Sequence, residues 1–138
     1  MFPVLSLIFV FKGMIIIDDK LEGKVFYGKA VEITSPDVDR MPRLRDEVIT
    51  FSEGKVSCEM FKDFSVNESV YTSEVDGRRA IAVEVIVFNS SIKAVKDGKE
   101  VNIEFNGEVY GGNKLSGTMI ITYPDNLKEE YSIVAETN

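Results

Sequence analysis

The sequence contains no histidine, and among its 138 residues there is a single cysteine, Cys58. Without histidine neither a Ser-His-Asp triad nor a Cys-His pair can form, and ordinary zinc sites lose their commonest nitrogen ligand. A single cysteine excludes an internal disulfide and a thiolate metal cluster, and a lone cysteine is most often a small buried hydrophobic residue. We therefore expect a protein that is not an enzyme and holds no cofactor and no metal.

Positive charge is also scarce, because 16 Lys and Arg residues stand against 23 Asp and Glu residues and give a net charge of −7. This balance repels a phosphate backbone, so we expect no nucleic-acid partner. One dense basic stretch is present, and acidic residues interrupt it, which is typical of a solvated loop. Its members are Arg40, Arg43 and Arg45 among Asp39, Asp46 and Glu47.

The one strongly apolar run, residues 2–11, is too short to span a membrane, so no membrane span is expected. As an export signal it is weak, because no basic residue precedes it and no small-residue cleavage site follows. We expect residues 1–13 to be an apolar extension that is disordered, precedes a true start at Met14, or forms a weak signal. Residues 14–138 are expected to form one domain, cytoplasmic if Met14 is the true start and exported if residues 1–13 belong to a signal.

Short segments of alternating apolar and polar residues, separated by Gly-containing turns, fill the rest of the chain. Such a pattern predicts antiparallel strands joined by tight turns. Two stretches, residues 34–45 and 61–68, lack strict alternation and are predicted to be a long loop and a loop or helical turn. With about eight strands, the prediction is all-β: a single antiparallel up-and-down (meander) β-barrel. The eight main predicted strands are residues 24–33, 46–51, 55–60, 69–75, 79–88, 101–110, 114–123 and 128–136, and residues 14–17 could add a short first strand.

Residues 101–110 alternate most cleanly, with Val101, Ile103, Phe105 and Val109 on one face. The dipeptide Asn106-Gly107 is also a strong hairpin signal. Because the alternation runs through this dipeptide and a better turn follows at Gly111-Gly112, we predict a continuous strand.

Several short motifs recur in an order that resembles a group of small lipocalin-like, or calycin-like, bacterial proteins. The resemblance spans residues 21–138 and implies an up-and-down β-barrel, but it implies no particular activity. The motifs are Leu21-x-Gly23-Lys24, Asp46-x4-Phe51-x2-Gly54-Lys55, Tyr71-Thr72, Phe105-x-Gly107-x-Val109-x-Gly111, Leu115-x-Gly117-Thr118 and Tyr131.

An eight-stranded barrel is just wide enough to hold side chains or one small ligand. Tyrosine and methionine side chains could line an apolar pocket, although such residues usually serve core packing. Glu84 interrupts an apolar face of the strand predicted at residues 79–88, and inside a barrel it would need a partner, either Lys29 or a ligand. Alternatively, Glu84 lies on the outer face. The candidate ligand-binding residues are Tyr27, Met60, Tyr71, Glu84, Met119 and Tyr131.

We expect the remaining pairs of carboxylates to be solvated surface charges. Neighbours in a strand point to opposite faces, and residues at i and i+4 lie roughly 13 Å apart, so neither kind of pair can converge on one site. The leading interpretation is therefore a non-enzymatic lipocalin-like barrel that binds a small apolar or amphipathic ligand. The alternative is a structural or protein-interaction module whose barrel is filled by side chains. The oligomeric state is left open by the sequence.

Overall fold

A computed structural model of the chain describes residues 20–37, 39–77 and 83–138. These residues form eight strands and one short 3₁₀ helix, η1, which covers Glu59–Phe64. The first predicted strand, residues 14–17, and the apolar run at residues 2–11 lie outside the described residues. The strands are β1 Val25–Thr34, β2 Leu44–Ser52, β3 Lys55–Ser57, β4 Ser69–Val75, β5 Val85–Lys96, β6 Lys99–Tyr110, β7 Lys114–Thr122 and β8 Lys128–Glu136.

The strands form one closed barrel in which each strand pairs antiparallel with its sequence neighbours and β1 pairs with β8. The seam between β1 and β8 runs from Tyr27 opposite Glu136 to Thr34 opposite Glu130. Closure pairs the first strand with the last, so neither β1 nor β8 is a free edge of the sheet. The predicted all-β up-and-down barrel is confirmed.

The residues predicted to share one face of β6 do share it, and that face points into the barrel. Val101, Ile103, Phe105 and Val109 of β6 are buried, and β6 continues without a break through Asn106-Gly107. Gly107 lies directly opposite Gly117 of β7. A Cβ atom at Gly107 would come within 2.9 Å of the Phe88 ring, and one at Gly117 within 3.2 Å of the Phe105 ring. The glycine pair therefore makes room for two phenylalanine rings inside the barrel.

Strand boundaries differ from the prediction at β3 and β5. β3 ends at Ser57, and the chain then turns into η1, so only its first half is a strand. Of the strand predicted at residues 79–88, residues 79–82 lie outside the described residues, and β5 covers Val85–Lys96. Its second half was missed because Asn89-Ser90-Ser91 looks like a loop. In the structure Ser90 points inward and its hydroxyl donates to Ser69 Oγ at 2.7 Å.

One end of the barrel, which we call the η1 end, is covered by η1. This helix reaches from β2, where the N–H of Glu59 meets Glu47, to the end of β5, where Lys96 lies over the Phe64 ring at 4.8 Å. It buries Met60, Phe61 and Phe64. The predicted loop or helical turn at residues 61–68 is thus a 3₁₀ turn that starts two residues earlier than expected.

The opposite end, the Leu21 end, is closed by the fully buried side chain of Leu21. The backbone behind it is fixed to β2, because the N–H of Gly23 donates to the Phe51 carbonyl and the N–H of Phe51 donates to the Lys24 carbonyl. The Glu22 carboxylate accepts the Tyr71 hydroxyl at 2.7 Å and the Gly54 N–H at 3.1 Å. Both ends of the barrel are therefore covered by residues outside the strands.

Candidate functional site

Four of the six predicted ligand-binding residues lie inside the barrel. Met60, Tyr71, Met119 and Tyr131 are all buried, and they belong to η1, β4, β7 and β8. Tyr27 does not join them. Its side chain is 44% exposed on the outer face of β1, because Phe26 and Ala30 occupy the inner face. The assignment of Tyr27 to the interior was wrong.

Glu84 also lies outside the interior. It precedes the first residue of β5, and its carboxylate pairs with Lys20 at 2.6 Å, with both side chains partly exposed. The expected partner, Lys29, instead forms an ion pair with Asp46 on the outer surface. The alternation that pointed to Glu84 was real, since Ile86 and Phe88 do face inward, but the strand begins only after Glu84.

The middle of the barrel is filled by a connected series of aromatic rings. Phe51 is in edge-to-face contact with Tyr71, Phe88 and Phe26, with ring centroids 4.9, 5.2 and 5.9 Å apart. The series continues from Phe88 to Phe105 at 5.2 Å. It ends at Phe61 of η1, 6.4 Å from Phe105. Edge-to-face pairs at these distances are a favourable aromatic geometry. Side chains thus occupy the space that a ligand would need.

At the η1 end, the inner face of β1 carries a buried carboxylate, Glu32. The Arg40 guanidinium donates to both of its oxygens, at 2.9 and 2.8 Å, and the Arg43 N–H donates at 3.1 Å. Burial alone would raise the pKa of Glu32, but Arg40 and the Arg43 N–H hold it below its usual value. Two parallel N–H···O bonds make this a strong and directional pair.

A second buried carboxylate, Glu47, lies on the inner face of β2 and is 1% exposed. Its Oε1 accepts the Glu59 N–H at 2.9 Å, whereas its Oε2 accepts no hydrogen bond among the described residues. The nearest cation is Arg45, whose Nε lies 3.7 Å from Oε2 and whose Nη1 bonds to Asp63 of η1. Burial raises the pKa of Glu47 to about 7.

The sequence reading of residues 39–47 as a solvated loop is therefore wrong for Arg40, Arg45 and Glu47. Arg40 and Arg45 are mostly covered, and Glu47 is enclosed. One signal was present in the sequence, because Glu47 shares the period-two spacing of Ile49 and Phe51 and so belongs to the buried face of β2. Its hydrogen-bond donor, the N–H of Glu59, belongs to η1, and no local sequence pattern indicates that η1 packs against β2.

Two tyrosines complete the polar residues at the η1 end. The Tyr123 hydroxyl donates to Glu129 Oε2 at 2.9 Å, and the Tyr131 hydroxyl donates to Oε1 at 3.3 Å. Burial, and then the neighbouring Glu129 carboxylate, raise the pKa of Tyr131 to about 12. Both phenols therefore remain protonated near neutral pH. They hold Glu129 in place and are not prepared to act as bases.

Cys58 is buried beside this cluster, as expected for a lone cysteine. Burial, together with the nearby Glu47 carboxylate, raises the pKa of its thiol far above the ordinary value. Only the thiolate is a strong nucleophile. The contacts of this cluster fix η1 to β2, and they present no activated nucleophile among the side chains described at the η1 end.

Outside the barrel, β8, β1 and β2 present a group of exposed apolar side chains that we call the β8–β1–β2 face. Register places them side by side, with Val31 opposite Leu44 and Val134 opposite Lys29. Leu44 and Val134 are 66% and 64% exposed. Scattered exposed apolar residues are ordinary, but a contiguous group on one sheet surface marks a contact site. The apolar members are Tyr27, Val31, Ile33, Leu44 and Val134.

Clefts near the η1 end are open to the surface. One of about 340 Å³ is lined by the end of β1 and the following loop, including Glu32 and Arg40, which already bind each other. Another of about 440 Å³ lies between η1 and the end of β5. Neither of these two clefts is lined by Phe51, Phe88 or Phe105, whereas a third cleft of about 540 Å³, over β5, β6 and β7, touches Phe88.

No family model, no curated protein and no solved structure matches this chain. Within residues 20–37, 39–77 and 83–138, no helix has the length and apolar character needed to cross a membrane. In the same described part of the chain, no group of three or more Cys, Asp or Glu side chains is placed to hold a metal ion.

Proposed function

We propose that this chain is a non-enzymatic, lipocalin-like barrel that serves as a protein-interaction module. Its interior is filled by its own side chains, and its β8–β1–β2 face contacts another protein. The observation that carries this proposal is the contiguous apolar surface formed by Tyr27, Val31, Ile33, Leu44 and Val134. This function was the alternative in the sequence analysis, and the packed interior now favours it over ligand binding.

The interior supports this choice because ligand pockets are concave spaces of several hundred Å³ with a few polar groups directed inward. Here the corresponding space holds the rings of Phe51, Phe88 and Phe105 in mutual contact. The buried carboxylates Glu32 and Glu47 face neighbouring protein groups at the η1 end. A ligand would have to displace both ring contacts and ion pairs.

The outer face supports the choice because exposing several large apolar side chains together costs solubility unless a partner covers them. The remaining outer positions of this surface include the Lys29–Asp46 ion pair and the small side chain of Ser132. The Lys29–Asp46 pair is neutral as a unit, and the apolar side chains of Val31 and Leu44 occupy the next row of the face.

Site-specific photo-cross-linking tests the proposal. A photoreactive phenylalanine analogue is placed at Val31 or at Leu44 of the full chain, in the cells from which the chain comes. We expect a discrete cross-linked protein product from both positions. Thr72, exposed on the outer face of β4, is the matched control and should give no product. Equal labelling at all three positions, or no product at any, would contradict a dedicated contact face.

Binding of a small apolar ligand is a second candidate function. It is favoured because part of the barrel interior is filled by side chains of a short helix and not by the strands themselves. Met60, Phe61 and Phe64 belong to η1, a short element outside the strands. Displacement of η1 would remove three large side chains from the barrel. Native mass spectrometry of freshly purified protein distinguishes the candidates, because a filled barrel gives only the mass of the chain or a whole multiple of it, whereas a ligand adds its own mass.

A further inference from the structure

The β8–β1–β2 face carries one cation and one anion side by side near its centre. Lys29 of β1 lies directly opposite Asp46 of β2, and their side chains are 62% and 84% exposed. In the next row toward the η1 end, Val31 lies opposite Leu44; toward the Leu21 end, Tyr27 lies opposite Val48. On β1 and β2 the charged row therefore lies between two apolar pairs, although the exposed Glu136 of β8 stands opposite Tyr27.

This arrangement is self-complementary. A twofold axis that passes between Lys29 and Asp46 brings each cation to the anion of a second copy, and the apolar rows then meet apolar rows. In such an isologous interface residue i contacts residue j, and j contacts i. An unrelated partner would need its own cation and anion at the same spacing, whereas a second copy supplies them by symmetry.

The overall charge restricts where two copies can meet. Each chain has a net charge of −7, so most pairs of surfaces repel each other. The Lys29–Asp46 row is locally neutral, and its neighbours Val31, Leu44 and Val134 carry no charge. Two sheets can pack face to face about 10 Å apart with their strands within about 30° of each other.

We propose that two copies of this chain form a dimer through the β8–β1–β2 face, with Lys29 of each copy paired to Asp46 of the partner subunit. This inference rests on the proposed function, and it identifies the protein that contacts the β8–β1–β2 face as a second copy of the chain. The intrachain Lys29–Asp46 pair is exposed, so exchanging it for an intermolecular pair costs little. The gain comes from the apolar surface that the exchange covers.

A charge-swap series, measured by sedimentation equilibrium of the full chain, tests the dimer. Wild type should sediment at twice the 15.5 kDa mass of the chain. Lys29→Asp and Asp46→Lys each place like charges together across the axis, and each should weaken the dimer at least tenfold. The double variant restores opposite charges and should recover most of that loss. Val70→Lys, on the outer face of β4, is the control and should leave the dimer unchanged.

Circular dichroism verifies that each variant is folded, which is expected because both positions are exposed. Monomeric wild type at 100 µM would overturn the inference, as would a dimer indifferent to the charge swaps. In either case the contact face can still be real. Cross-linked products of a mass other than twice the chain, formed from Val31 and Leu44, would then support the proposed function with a different partner. Absence of any product would remove both proposals.

Discussion

Glu47 of β2 accepts a hydrogen bond from the backbone N–H of Glu59, the first residue of η1, at 2.9 Å. One buried carboxylate thus holds the start of the element that covers the η1 end. Its second oxygen gains only a longer contact with Arg45, 3.7 Å from Nε. The charged form is therefore incompletely compensated, which is the physical origin of the raised pKa of this group.

We expect the free energy of unfolding to depend on pH through Glu47. Because its pKa is raised from 4.5 to about 7 by folding, the native state holds the proton more tightly than the unfolded chain. The resulting stabilisation is complete below pH 4.5 and is lost as pH rises through 7, amounting to up to about 3 kcal/mol. Glu47→Gln should remove this dependence and make the protein more stable than wild type at pH 8.

Urea unfolding at pH 5, 6, 7 and 8 measures this effect. Glu68→Gln is the control, because Glu68 pairs with Lys55 on the surface and should leave the pH profile unchanged. A Glu47→Gln profile parallel to that of wild type would show that Glu47 does not titrate in this range.

The Arg40–Glu32 pair should be strongly coupled. Arg40→Met leaves the buried Glu32 carboxylate without its two guanidinium hydrogen bonds, and we expect the free energy of unfolding to fall. Glu32→Gln added to Arg40→Met removes the uncompensated charge and should recover part of that loss. Urea midpoints of the two single variants and the double variant give the coupling energy. If the losses in free energy of unfolding of the two single variants add up to the loss of the double variant, the interaction between Arg40 and Glu32 does not contribute to stability.

Gly28 of β1 should tolerate no side chain. A Cβ atom at this position would overlap the carbonyl oxygen of Val134 and lie 2.5 Å from the Cα of Ala135, both in β8. Because these are backbone atoms, relief requires the β1–β8 seam to separate. We expect Gly28→Ala to lower the free energy of unfolding by about 3 kcal/mol or more. Gly77→Ala, where an added Cβ would meet no atom of the described residues beyond its chain neighbours within 4 Å, should change it by less than about 0.5 kcal/mol.

Glu84 should contribute little to stability. Its ion pair with Lys20 joins two partly exposed side chains, and such surface pairs are worth about 0–1 kcal/mol. Glu84→Gln is therefore expected to move the urea midpoint only slightly at any pH from 4 to 8. A pH-dependent shift as large as the one predicted for Glu47 would instead indicate a buried role for Glu84.

The faces of β6 and β7 were predictable from the sequence because their alternation is unbroken from Val101 to Val109 and from Leu115 to Ile121. The faces of β1 were not, since both contain apolar residues. Gly28 identifies the inner face of β1, because β8 approaches this residue so closely that no Cβ fits there. That approach depends on closure between the first and last strands of the barrel, which local sequence does not encode.

The polar cluster at the η1 end could not be predicted for a similar reason. A carboxylate such as Glu47 can be assigned to an inner face only when the hydrogen-bond donors that contact it are known. Its donor is the backbone N–H of Glu59, twelve positions later in a turn without strict alternation. The β8–β1–β2 face could not be predicted either. Tyr27 and Val31 have the spacing of core residues when β1 is considered alone, but both are exposed.

The seam between β1 and β8 also determines how this chain reaches its native state. All other strand pairings join neighbours in sequence, whereas Tyr27 and Glu136 meet across roughly a hundred intervening residues. Closing so large a loop carries an entropic cost that is compensated only after the hairpins between have formed. The seam is therefore expected to be the last pairing to form, and its closure to set a folding time of milliseconds to seconds. Until then β1 and β8 both remain open edges, available to each other or to a strand of another molecule.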